Sequence, residues 1–197
     1  AALALPVAAC SPFEKDHGGV DEAIRQLASG QAGDAAKTLA DLVPELPERP
    51  DLLYDLALAR DRQAQFLEAL TALDQASAAR ARAREPNPEW PSDARIEHAR
   101  GTILMHRAAA LAAEKKDPRE VRQVWRQAVD ALSRALVLAP DASDSRRNLE
   151  LAAVAAFPPC AKLDDPHEPN NASGEAKFLT PDPNTLQARA DLVLCPD

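Results

Sequence analysis

Four histidines, three cysteines and one dense run of acids and amides are the side chains of this 197-residue chain with the capacity for chemistry. The histidines are His17, His98, His106 and His167, and no two of them stand at the short His-x3-His spacing of a zinc site. His98 is followed by Ala-Arg-Gly, His106 by Arg-Ala-Ala and His167-Glu168 by Pro-Asn-Asn, so none opens a His-Glu-x-x-His metalloprotease helix. Cys-x2-Cys pairs, a Gly-x-Ser-x-Gly nucleophile elbow and a Gly-x4-Gly-Lys phosphate loop are also missing from the sequence. Asp164, Asp165, Glu168, Asn170 and Asn171 bring oxygen ligands of the kind calcium takes into one short segment. Asn171 and Pro166 stand where carboxylates would raise the ligand charge, and a turn with solvated acids explains the same residues. The expectation is a chain with no catalytic machinery, no resident metal and no cofactor.

The elements that carry these residues read as helices. Gly101 is the one glycine between Gly33 and Gly174, and alanine, leucine and arginine dominate that stretch, a composition that favours helix throughout. Aromatic residues make up 4% of the chain, so the core must be built from interdigitated alanine and leucine. The formal net charge of −8 and pI near 5.1 argue against nucleic acid as partner. Arg80, Arg82 and Arg84 are a local exception, but alternate residues on a helix point in widely different directions and form no basic patch.

An internal echo organises the helices. Gly30 to Ala35 and Ala64 to Ala69 are similar blocks 34 residues apart, each followed four residues later by a leucine, Leu39 and Leu73. The second copy is the fuller, with Leu53, Leu56, Ala57, Ala64, Phe66, Ala69, Leu73 and Ala76; the first keeps Ala23, Gly30, Ala35, Leu39 and Leu42 and reads as a terminal unit. A third, with Gly101, Leu104, Trp125, Ala128, Leu132, Ala135 and Pro140, needs two insertions. One falls in the Arg80 to Asp93 region, where Pro86, Pro88 and Pro91 forbid continuous helix, and one around Glu114 to Pro118, as lengthened helices meeting at a turn. A final helix is expected to start at Ser145, capped by Ser143 or Asp144, and to stop at Pro158-Pro159.

This pattern resembles the tetratricopeptide (TPR) repeat. Leu52 to Ala57, His98 to Thr102 and Leu138 to Ala152 are further similar to the TPR proteins of bacterial aerotolerance (Bat-type) operons, over roughly residues 20 to 155. The resemblance implies an all-α array of about three helix pairs plus a final capping helix, with a Pro-rich, mostly irregular or short-strand tail. It also implies a concave face lined by the first helix of each pair. Aligning Ala57 with Gly101 and Glu150 puts Tyr54, Leu58, Asp61 and Arg62 on that face, then His98, Thr102, Met105 and His106, then Arg147 and Leu151. Such a mixture suits a groove that takes a peptide or another protein, and it equally suits packing between lengthened helices.

The two ends carry the expectation about location. Residues 1–10 resemble the tail of an apolar signal core, and Val7-Ala8-Ala9-Cys10 matches the bacterial lipoprotein box, in which the cysteine sulfur takes the diacylglycerol. Seven of the 17 prolines lie in residues 158–197. There Asp164 to Ala176, with its Glu168-Pro-Asn-Asn171 core, resembles the opening of the bacterial pre-peptidase C-terminal domain, some members of which bind calcium at an equivalent segment. Lipidation of Cys10 would leave Cys160 and Cys195 to form a disulfide in an exported protein, worth on the order of 3 kcal/mol in a loop of this kind.

The organisation expected is therefore a signal tail and lipobox in 1–10, a linker in 11–19, a TPR-like domain in 20–157 and a Pro-rich tail in 158–197. The expected function is a lipid-anchored scaffold for protein–protein interaction in the bacterial cell envelope, periplasmic or on the outer membrane. It would meet the membrane through the anchor alone. The competing function, suggested by the tail, is a non-catalytic targeting or substrate-binding subunit of a secreted hydrolase. Intact-mass analysis of the exported protein, alkylated with and without reductant, should show acyl mass on Cys10 and a two-hydrogen difference on a peptide pair holding Cys160 and Cys195. Unmodified mass and two freely alkylated thiols would contradict the export reading.

Overall fold

The computed structural model describes residues 17–83 and 87–157, the side chain of His17 excepted. The described helices all belong to one compact unit, which ends at Phe157. The lipobox with Cys10, the Cys160 and Cys195 pair and the acidic segment around Glu168 lie outside the described residues.

Among the described residues there are seven helices and no strand. They are α1 (His17–Ala28), α2 (Ala32–Leu42), α3 (Pro50–Arg62), α4 (Phe66–Arg82), α5 (Asp93–Ala113), α6 (Pro118–Leu138) and α7 (Ser143–Ala156). Local sequence explains several of the starts. Pro50 occupies the first turn of α3, where a missing N–H costs nothing, with Asp51 beside it and Arg60 and Arg62 in the last turn. At α5 the Ser92 side chain accepts from the Arg95 N–H, and at α6 Asp117 accepts from the Arg119 N–H ahead of Pro118.

Three helix pairs follow one another, and their inner turns are alike. Gly30, Ala64 and Lys115 each sit in the left-handed region, with φ of 82°, 59° and 56°. After each, an N–H reaches back five residues, Gln31 to the Gln26 carbonyl, Gln65 to Arg60 and Lys116 to Leu111, at 2.8, 3.0 and 3.0 Å. This is the Schellman closure, in which glycine normally takes the left-handed position. Gly30 supplies it in the first pair, and Ala64 and Lys115 adopt it with side chains attached.

Burial repeats with the same register. Ala57 and Gly101, Ala69 and Ala128, Leu73 and Leu132, and Ala76 and Ala135 are buried at matching places in the second and third pairs, as are Ala23, Ala35 and Leu39 in the first. Gly101 shows why: a Cβ built there would lie 2.5 Å from Leu132 Cγ. The α5–α6 crossing thus needs a residue with no side chain, despite the ~1 kcal/mol that glycine costs inside a helix.

The helices form two layers of unequal span. Each helix packs chiefly on its sequence neighbours; beyond that, α1 touches α3, α3 touches α5 and α5 touches α7, while α2, α4 and α6 do not touch one another. Contact among odd helices with separation of even ones makes the odd layer the inside of a curve.

The final helix differs from expectation. It starts at Ser143, with Ala142 at the N-cap and no side-chain cap. Ser145 is already inside the first turn and buried, and the Arg146 N–H closes directly on the Ala142 carbonyl. At the other end α1 begins at His17, three residues inside the stretch expected to be linker. Both insertions are where the prolines and the Lys-Lys-Asp-Pro turn place them, between α4 and α5 and as 21-residue α5 and α6.

Two substitutions should move stability in opposite directions. Ala64→Gly relieves a left-handed alanine and should raise the stability of the domain by about 0.5–1 kcal/mol. Gly101→Ala should lower it by about 1–2 kcal/mol net, and that penalty should shrink when Leu132→Ala, itself destabilising, has already emptied the crossing. Urea melts of Ala64→Gly, Gly101→Ala, Leu132→Ala and the double variant would measure this, and equal effects of Gly101→Ala with and without Leu132 would remove the close crossing as the cause.

Candidate interaction face

The groove residues expected from the alignment lie on α3, α5 and α7, the three odd helices in mutual contact. They do not form one continuous exposed strip. Arg62, His106, Arg147 and Leu151 are exposed; Leu58, Asp61, His98, Thr102 and Met105 are half-buried; Tyr54 is buried, at 9%. Leu58 packs on the core of the first two pairs and Met105 on that of the third pair and α7, so both supply structure as well as surface.

Most of the polar members find partners across the helix seams. Between α3 and α5, His106 Nδ1 lies 2.9 Å from Asp61 Oδ2 and 3.1 Å from Oδ1. Between α5 and α7, His98 Nδ1 lies 2.8 Å from the Ser145 hydroxyl, and the Asn148 amide donates to the Thr102 hydroxyl at 3.2 Å. Arg62 turns back to α1, where it donates to the Leu27 carbonyl near that helix's end. Arg147 and Leu151, the latter 55% exposed, are the members that face outward without a hydrogen bond or ion pair in the described region.

The His98–Ser145 contact has the atoms of a nucleophile and base. Ser145 is 3% exposed, so a substrate carbonyl has no approach to its oxygen. No carboxylate orients the His98 ring among the described residues, and the pair serves as a clip between two helices. No group of three or more metal-binding side chains occurs among these residues either.

Residues that the alignment did not single out add to the face. Arg95, at the start of α5, lies over the Tyr54 ring, 5.4 Å from its centroid. Beside it Asp55 is pushed up to about 6 by burial first and by the Asp51 carboxylate next, with Arg95 opposing. Asp51, one turn earlier, is held by Arg49 at 2.6 Å. Asp55 was legible as an i, i+4 partner of Asp51, but nothing in the sequence told which of the two would be desolvated. The His106 ring is also raised, chiefly by its hydrogen bond to Asp61, against burial and with the Asp61 charge assisting. Comparison with protein-family models and with curated proteins found no match.

The sign of the Asp55 shift sets a pH dependence. Its folded-state value lies above the ordinary aspartate value of 3.8, so the folded protein holds this proton more tightly than the unfolded chain. The associated stability is fully present below pH 3.8 and is lost as pH rises through about 6. Asp55→Asn should therefore raise stability at pH 7.5, by on the order of 1–2 kcal/mol, and flatten the profile between about pH 4 and 6.5. Chemical denaturation across that range would show it. A variant less stable than the parent at pH 7.5, with an unchanged slope, would contradict the assignment.

Proposed function

We propose that this chain is a TPR-type scaffold for protein–protein interaction, which presents its odd-helix layer to a peptide or protein and is held in the bacterial cell envelope by a lipid on Cys10. The observation that carries this reading is the contact of α1, α3, α5 and α7 with one another while α2, α4 and α6 stay apart. An array curved in that sense offers one inner face made from equivalent helices, and repeat proteins use such faces for extended partners. The matched burial of Ala57 with Gly101 and of Leu73 with Leu132, and the common turns at Gly30, Ala64 and Lys115, support the TPR register in particular.

The chemistry of the face suits recognition. Arg147 and Leu151 offer a cation and an apolar contact one turn apart on α7, and Arg95 on its tyrosine offers a second cation held in place. The lipid anchor rests on the resemblance of Val7-Ala8-Ala9-Cys10 to a lipobox. Among the described residues no helix is long and apolar enough to cross a membrane.

A photo-crosslinking amino acid placed singly at Leu58, Arg147 or Leu151 on the odd layer, or at Leu67 or Val137 on the even helices, tests the face in the native envelope. Discrete adducts from the first group, weakened by Arg147→Glu and unaffected by Leu67→Lys, are expected. Adducts confined to Leu67 and Val137 would move the interface to the outer layer.

A further inference from the structure

We propose that the outer side of α7 is the interface of a reversible homodimer, in which two copies of the chain lay this helix antiparallel against itself about a two-fold axis at Val154. The proposal goes beyond the binding reading, since the occupant is a second copy and the test contains no other protein. A homodimeric adduct has twice the mass of the chain, which separates it from an adduct with a partner.

Exposed large apolar side chains are arranged differently on this helix. Among the described residues Ile24 stands by itself on α1 and Leu67 on α4, and Val137 and Leu138 adjoin at the end of α6, where consecutive side chains point apart. On α7, Leu151, Val154 and Phe157 recur every three residues and are 55%, 68% and 57% exposed. Three residues turn a helix about 60° short of a full circle, so Val154 marks the middle of one side and Leu151 and Phe157 its two edges. Ser145, Ala152 and Ala156 are buried on the opposite side, where α5 and α6 pack.

One residue on that side tells what can cover it. In the earlier pairs the first helix is crossed by the second at a small residue: Gly101 receives α6 so closely that Leu132 fills the place of its Cβ, and Ala57 is buried at the same place in the second pair. The equivalent position on α7 is Glu150, which is exposed. A helix crossing α7 as α6 crosses α5 would press an apolar side chain onto that carboxylate and strip its hydration without a partner. The occupant must therefore match Leu151, Val154 and Phe157 and also set a cation against Glu150.

A second copy does both. Glu150 and Phe157 lie two turns apart on the same edge of the strip. Antiparallel pairing about Val154 seats that residue on its counterpart and puts Glu150, about 6 Å from the axis, level to within about 1.5 Å with Phe157 of the second copy. Phe157 brings a cation with it, because the Arg126 guanidinium of α6 lies 5.6 Å from its ring centroid. Each Glu150 thus meets the Arg126 of the other copy, while the two Glu150 stay about 12 Å apart along the helices and the two Arg147 about 21 Å. Three large apolar side chains per copy are fewer than a permanent dimer uses, so the association is reversible, with a Kd in the micromolar range.

Sedimentation equilibrium of the purified full chain, kept reduced, tests the interface. A monomer–dimer equilibrium is expected, weakened about tenfold or more by Val154→Lys, at a position too exposed to carry the fold, and left unchanged by Val137→Lys on α6. Glu150→Arg should weaken it severalfold, and Arg126→Glu added to the same chain should recover most of that loss. Should the Arg126 variant fail to fold, a photo-crosslinking residue at Val154 must give an adduct of twice the chain mass that joins α7 to α7. A chain that stays monomeric up to about millimolar concentration, or a dimer indifferent to Val154→Lys, would overturn the proposal. So would an adduct that joins Val154 to another part of the chain, or a dimer that Glu150→Arg leaves as strong as before.

Discussion

Close approach of helix backbones is the constraint on which the rest of this structure depends. With few aromatics, the core can be filled only if helices come near enough for alanine to touch alanine, and the chain provides such positions in every pair. Gly101 is the limiting case, since Leu132 fills the space that a Cβ would need. Packing of this kind extends the core along the array from one helix to the next, which is how stacked repeats bury apolar surface without a large central core.

Curvature follows from the same constraint. Within each pair the turn is set by a left-handed residue and a five-residue back-bond, so the pairs are similar units; between pairs, each even helix packs on the next odd one and the odd helices also touch one another, while the even helices do not. The inner layer therefore has side chains from neighbouring repeats within hydrogen-bond reach, and polar residues there meet across seams: His106 with Asp61, His98 with Ser145, Thr102 with Asn148. Much of the polar chemistry expected of an open groove is spent on joining helices. Arg147, Leu151 and the Arg95–Tyr54 stack remain as the parts of that layer best placed for a partner.

The electrostatics have an unusual direction for an acidic chain. A net charge of −8 would suggest carboxylates that gain from partners, yet Asp55 and His106 both favour proton uptake in the folded state. Asp55 does so because it is half-buried beside another carboxylate, and His106 because it has one as a partner. They lie on neighbouring helices, Asp55 on α3 and His106 on α5.

Sequence alone determined the helical class, the pairing, the positions of both insertions and the small residues at the crossings, because these depend on local propensity and on a period that can be counted. Gly30 and Ala64 stand one repeat apart and close the same turn, and the prolines between Arg80 and Asp93 break the chain where the helices do. Helix α7 starts two residues before the expected Ser145, because Ser143 and Asp144 both satisfy the local capping rule while the tertiary structure caps the helix with Ala142 and buries Ser145 in the first turn against His98. Which groove residues would be exposed was likewise a tertiary matter. Tyr54, His98 and Arg147 occupy equivalent register positions, and their different fates follow from what the neighbouring helix brings against each: Arg95 over the first, Ser145 against the second, and no hydrogen-bond or ion-pair partner in the described region for the third.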